Sequence, residues 1–311
     1  MPIISLLLVA IALATLSGTF PGGRALYASP PFLALLALLA LLLLVAVVQR
    51  ARSLSAARRP FGAWGPVGVH AGLLIVLFSG LITFVFADVK EVFVAEGGTL
   101  PLPREKAVLR LDKFLIHLYP GKEEVRQYES RFTLLPDRGP RRAANLGVNQ
   151  PLKIGRTKIF QMRYRLDVPR VEVVLHENGV PVEAALIEKG AGAAFGKAGL
   201  TVRYLETVPD FRIKQGGEVF SKSGLFANPA ARLVVIRPNG TEETRWAFPG
   251  MIGRHREDDR WALSVRKFHK VYSSGVRVSN NPGVPVAYAG FALLVASAFL
   301  SSFALPREEA R

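Results

Sequence analysis

The sequence predicts a membrane protein: four transmembrane α-helices, with a large all-β domain, sandwich or open-barrel-like, inserted between the third and fourth helices on the extracytoplasmic side. Three observations predict it. Apolar residues are concentrated in two blocks, 2–87 and 284–305, and almost all ionisable residues lie between them. The middle segment has no helical period of useful length and carries two Asn-Gly hairpin signals flanked by β-rich runs. Arginines gather in one short loop between apolar runs, which sets the orientation.

Taken in order, residues 1–20 form the first predicted span. No basic segment precedes the run and no small-residue cleavage site follows it, so it reads as a retained helix rather than a signal peptide. Residues 31–49, nearly pure Leu, Ala and Val, form the second. The loop 50–65 holds Arg50, Arg52, Arg58 and Arg59, against Arg24 alone in the preceding loop, and is therefore placed in the cytoplasm. The third span, 66–87, opens with Pro66 in the first turn, where a missing N–H costs least. The β domain covers 88–283, with hairpins expected at Asn178-Gly179 and Asn239-Gly240. Three echoing stretches, Leu109–Phe114, Leu200–Leu205 and Leu263–Phe268, hint at duplicated β units. The fourth span is 284–305 and the tail 306–311 returns to the cytoplasm.

Composition narrows the chemistry. Zero cysteines remove disulfides, thiolate metal sites and covalent c-type haem attachment to this chain. Five of the 40 Lys and Arg precede residue 88 and two follow 305, while two of the 24 Asp and Glu lie in the tail. The middle domain is therefore about +11, which suits a solvated surface or attraction to anionic lipid. An extracytoplasmic location argues against nucleic acid. No GxSxG, P-loop or HExxH occurs, so no catalytic role is expected.

His70 is the most informative residue. It is the one ionisable side chain in the third span, and such a group costs a few kcal/mol in lipid unless it faces protein, water or a ligand. Gly68, Gly72, Ser79 and Thr83 fall within about 60° on the helix, a small-residue stripe suited to close packing, and His70 lies nearly opposite. By itself it reads either as a packing histidine bonded to a neighbouring carbonyl or as a ligand. The other histidines, His117, His176, His255 and His269, lie in the β domain without metal-ligand spacing and read as strand or loop residues. His269 stands out among them as nearest the end of that domain. The acidic cluster Glu257-Asp258-Asp259, between Arg256 and Arg260, reads as a solvated loop. Arg141, Arg142, Arg163 and Arg165 suit either carboxylate binding or solvated strand faces. Asn149 and Pro151 suit a ligand-contacting loop or, more simply, a strand-ending turn. Trp64 is an interfacial anchor.

Three segments together resemble the ResB family of cytochrome c biogenesis proteins. They are His70-Ala71-Gly72-Leu73-Leu74 running to Gly80-Leu81-Ile82-Thr83; Tyr128-Glu129-Ser130 with Val148-Asn149-Gln150-Pro151-Leu152, Gly155 and Ile159-Phe160-Gln161; and Asn281-Pro282-Gly283-Val284-Pro285 leading through Gly290. Phe160 and Asn281 stand where the family pattern has Tyr and Asp. The resemblance implies a multi-pass protein of the bacterial cytoplasmic membrane, the smaller partner in System II haem delivery. It also implies a polytopic CcsA/ResC-type partner with a tryptophan-rich loop, and apocytochrome c as recipient. His70 matches the family's helix-three histidine, which implies an axial ligand of haem iron, with haem b held transiently, non-covalently and jointly with the partner. A bis-histidine site has its two imidazoles on opposite faces of the porphyrin, so the second ligand is expected from another polypeptide. The alternative is a structural membrane anchor that stabilises the partner and binds no haem.

Overall fold

The computed structural model describes residues 2–20, 23–57, 61–250 and 260–302. Two compact units result, one of Met1–Val89 with Ser279–Arg311 and one of Lys90–Val278.

The first unit is helical. α1 spans Pro2–Gly18, α2 Pro30–Ala56, α3 Gly65–Phe86 and α4 Gly283–Ser302. The last three are long and apolar enough to cross a membrane. α1, at 17 residues, is shorter than the roughly 20 that a span needs. α2 begins at Ser29, whose hydroxyl accepts the Phe32 amide, followed by prolines in the first turn. It differs from expectation at its other end. Part of the predicted basic loop is helical, because Arg50-Ala51-Arg52 and the residues to Ala56 contain no breaker and the helix continues until the chain nears Pro60.

α3 and α4 run antiparallel along the small-residue stripe. A β-carbon on Gly72 would lie 2.7 Å from Leu294 Cγ and 3.0 Å from the Gly290 carbonyl, while one on Gly290 would lie 3.1 Å from the Gly72 carbonyl. Gly65 and Gly68 meet Ser301 and Ser297, and Gly283 meets Ser79 and Thr83 at the other end. Asn281 fastens that end: its Oδ1 accepts the Thr83 hydroxyl at 3.0 Å and the Gly283 amide at 2.9 Å.

The second unit is β throughout. Its strands begin with β1 (Asp88–Ala95), β2 (Thr99–Leu102), β3 (Ala107–Leu118), β4 (Val125–Pro136) and β5 (Arg142–Gly147). Next come β6 (Leu152–Ile154), β7 (Thr157–Glu177), β8 (Val180–Glu188), β9 (Gly192–Phe195) and β10 (Leu200–Val208). The last are β11 (Phe211–Ile213), β12 (Val219–Ser221), β13 (Ala230–Ile236), β14 (Glu242–Ala247) and β15 (Trp261–Asn280). One sheet has the order β1-β15-β7-β6 with β8 also on β7, a second β14-β13-β10-β9, a third β2-β3-β4-β5, and β11 pairs β12.

Two cores form between its sheets. Val171, Val173 and Leu175 of β7 and Leu263 and Val265 of β15 share a core with Val202, Tyr204 and Leu233 of the second sheet. Ile159, near the start of β7, and Val276, near the end of β15, share another with Leu109, Leu111 and Phe132 of the third. β7 and β15, 21 and 20 residues long, thus serve both cores. The waist between them is filled by Phe114, Tyr128, Tyr164 and Tyr272, with ring centroids 5.0–6.3 Å apart. Beside the rings, Ser130 Oγ donates to Gln161 Oε1 at 2.7 Å and the Ser274 hydroxyl donates to the same oxygen at 3.0 Å, joining β4, β7 and β15 in the interior.

Both expected hairpins form. Asn178 and Gly179, with φ of +49° and +87°, make the two-residue turn from β7 to β8. Asn239 and Gly240 lie in the β13–β14 connection, where Asn239 Oδ1 accepts the Thr241 amide at 3.1 Å. The three echoing stretches fall in β3, β10 and β15, which belong to three different sheets with different neighbours, so their likeness does not mark a repeated pairing.

Two outcomes follow from this packing. Gly72→Leu forces its side chain into Leu294 and the α4 backbone and should lower the thermal stability of the helical unit in detergent by about 1–3 kcal/mol; an unchanged melting temperature would show the helices less tightly apposed. Tyr204 is fully buried, donates to the Val168 carbonyl at 2.8 Å, and burial pushes its phenol up to about 12. A raised acid keeps its full stabilising effect below the unfolded value near 10 and loses it as pH climbs toward 12. Tyr204→Phe should therefore be weaker by about 1 kcal/mol at neutral pH, with the deficit closing between pH 10 and 12 in unfolding titrations.

Candidate functional site

His70 stands one turn into α3, exposed, while Val67 and Gly72 beside it are buried. Its Nδ1 lies 2.7 Å from the Pro66 carbonyl oxygen, four residues earlier on the same helix. A carbonyl is only an acceptor, so Nδ1 carries the proton and donates; in the neutral imidazole that leaves the lone pair on Nε2. That tautomer is one of the two a metal ligand can use, with the backbone carbonyl in the orienting role.

The imidazole opens onto a groove of about 470 Å³ between α2 and α3, lined by Ala46, Gln49, Arg50 and Ser53 from one helix and Pro66, Val67 and His70 from the other. The positions 46, 49, 50 and 53 recur at helical spacing and so form one stripe along α2. Its walls are apolar at Ala46, Pro66 and Val67 and polar at Gln49, Arg50 and Ser53. A groove of this mixed lining beside an imidazole offers a porphyrin one axial nitrogen and hydrocarbon along part of its rim. The residues present fit one axial position. The carbonyl that His70 bonds belongs to its own helix.

The remaining candidates are placed elsewhere. His117 Nε2 sits 2.7 Å from Glu129 Oε2, and Arg131 holds the other carboxylate oxygen at 2.8 Å; these partners, Arg131 first, keep Glu129 below the usual carboxylate range. His176 is buried with Nε2 2.8 Å from the Ser264 hydroxyl. His269 lies mid-strand in β15, which runs on to Asn280. Among the described residues no three His, Asp or Glu gather as a metal site. His255, Arg256, Glu257, Asp258 and Asp259 lie outside the described residues, as do Arg58, Arg59 and the tail; Arg260 pairs with Glu177 at 2.6 Å.

Arg163 and Arg165 do come together, stacked at 5.2 and 4.2 Å over Phe93, and Arg163 also reaches Glu91 at 3.4 Å. Arg142 lies in a different sheet. The motif around Asn149 is a turn: Asn149 has φ +61°, and the amide of Gln150 donates to the Gly147 carbonyl at 3.1 Å. Gly155, at φ +55°, lets the chain pass against Glu105, whose Oε1 accepts the amides of Arg156 and Thr157. Trp64 is half-buried at the N-terminal boundary of α3. The residue missed by sequence reasoning is Arg50, which was assigned to a loop. The signal that finds it is the absence of any breaker between Val48 and Ala56.

A model of the ResB-like family matches residues 49–246. The cytochrome c biogenesis protein CcsB of Thermosynechococcus vestitus is 24% identical over 302 residues, covering 92% of this chain and 61% of that protein. The CcsB of Synechococcus sp. strain CC9311 is 27% identical over 83% of this chain and 56% of its own length. Ccs1 of Rhodomonas salina is 25% identical over 83% and 57%. The chain thus spans little more than half the length of these relatives. Among solved structures, the cytochrome c heme lyase CcmF aligns with 96% of this chain and 34% of its own at 14% identity and a TM-score of 0.32, too weak a likeness to carry an argument.

Proposed function

The chain belongs to the ResB-like family, and on that footing we propose that it is the ResB-like subunit of a System II cytochrome c biogenesis complex, which carries haem across the membrane and presents it to apocytochrome c. The observation that carries the reading is the His70 tautomer. With Nδ1 donating to the Pro66 carbonyl, the neutral imidazole presents its Nε2 lone pair on an exposed residue beside a groove of mixed lining. His70 binds the iron of its cargo on one side, and the apolar stretches of α2 and α3 shield the porphyrin from water. Among the described histidines only His70 lies in an apolar helix. The opposite axial position therefore falls to a polytopic CcsA/ResC-type partner, which also brings the tryptophan-rich loop and the attachment chemistry. In this reading haem attachment is the partner's chemistry and not this subunit's.

In this reading the arginine-rich segment between α2 and α3 faces the cytoplasm, and the β unit that follows α3 lies outside the bacterial cytoplasmic membrane. There it docks the partner's outer segments or the apocytochrome. A scaffold without haem is the second reading, and one observation favours it: α3 and α4 leave Phe78, Leu81, Phe84, Phe291, Val295 and Phe299 more than half exposed, apolar surface that suits a partner's helices.

Purification of the complex with its partner decides between the two. His70→Ala should leave partner abundance unchanged, reduce bound haem several-fold and remove the bis-histidine Soret signature. Haem content equal to wild type, with the partner lost instead, would favour the scaffold.

A further inference from the structure

Arg50 is an unusual residue to find on the wall of the groove. It follows the nearly pure Leu/Ala/Val run of α2, lies on the stripe that faces His70, and sits between Gln49 and Ser53, all exposed. The first 87 residues contain five arginines and no Asp or Glu, so the helices that lead up to the β unit offer it no carboxylate. Among the described residues no ion pair to Arg50 is formed. A guanidinium at the mouth of the groove, with an amide and a hydroxyl on either side, presents donors suited to oxyanions, and a planar fork matches carboxylate in particular.

We propose that Gln49, Arg50 and Ser53 form an oxyanion clamp that holds the carboxylates of the porphyrin while His70 holds its iron, so that the groove selects ring orientation as well as metal. The clamp rests on the haem reading of His70. Two-point binding of this kind would place the charged edge of the ring toward the end of α2, where the helix leaves its apolar stretch. The apolar remainder would then lie against Ala46, Pro66 and Val67. A phospholipid headgroup offers the same oxyanion chemistry and is the competing source. Arg52 supplies a built-in control: it lies two residues on, is exposed, carries the same charge and does not line the groove.

The test uses the full chain in phosphatidylcholine nanodiscs, titrated with haemin and with haemin dimethyl ester, whose carboxylates are masked. Arg50→Gln should weaken haemin binding about 10-fold, the scale of one lost charge-assisted contact, and leave ester binding unchanged, while Arg52→Gln should alter neither. Equal losses for both ligands, no loss for either, or the same effect from Arg52→Gln would overturn the clamp. So would phosphatidylglycerol that the wild type retains through detergent washing and Arg50→Gln loses, with haemin binding indifferent to the substitution. His70→Ala keeps the two ideas separable. If its haemin spectrum and affinity match wild type, ligation itself fails; if they collapse while Arg50→Gln treats haemin and ester alike, ligation stands and only the clamp is removed.

Discussion

The close contact of α3 with α4 is the constraint on which the helical unit depends. Without side chains at positions 72 and 290 the two backbones approach within van der Waals distance, and the serines and threonine of the stripe complete the seam. In lipid, where burying apolar surface offers little gain, such backbone proximity and its dispersion contacts are what hold helices together. The seam also fixes the rotation of α3 about its axis. Once the small-residue face is committed to α4, His70, on the other side, has only the α2 groove and the exterior to face. Packing on one side of a helix thereby decides the chemistry available on the other.

In the β unit the corresponding role falls to β7 and β15. Each is roughly 65–70 Å long at ordinary strand rise, enough to thread two sandwiches in succession. Where the strands pass from one core to the other, apolar packing gives way to stacked aromatic rings and to the bonds of Ser130 and Ser274 to Gln161. A satisfied polar group in that position enforces register, since a one-residue slip of any of the three strands would leave buried donors unmatched.

Much of this was legible in the sequence, and the limits have physical causes. The stripe at Gly68, Gly72, Ser79 and Thr83 was readable because helical periodicity is local, and the Asn-Gly turns because left-handed backbone conformations select their residues. Pairings such as Ser130 with Ser274, 144 positions apart, were not, because strand alternation records which face is buried and not against what. The division into two cores was hidden for the same reason. Continuous strands through Pro169 were also hard to foresee; the proline is tolerated because it comes just before the β8 pairing begins at Arg170, where one edge of β7 has no strand beside it. At the site, the histidine was plain from its isolation among apolar residues. Its tautomer, and Arg50 across the groove, emerged only with three-dimensional placement.

The shared strands have a consequence for biosynthesis. β15 is the last strand to be made, yet it supplies Leu263 and Val265 to one core and Val276 to the other. Neither half can close while the ribosome is still short of those codons, so both must wait, with their apolar faces uncovered, until α4 is about to follow. A nascent chain of this design is exposed to aggregation and proteolysis for almost the whole of its translation, and would benefit from a holding chaperone.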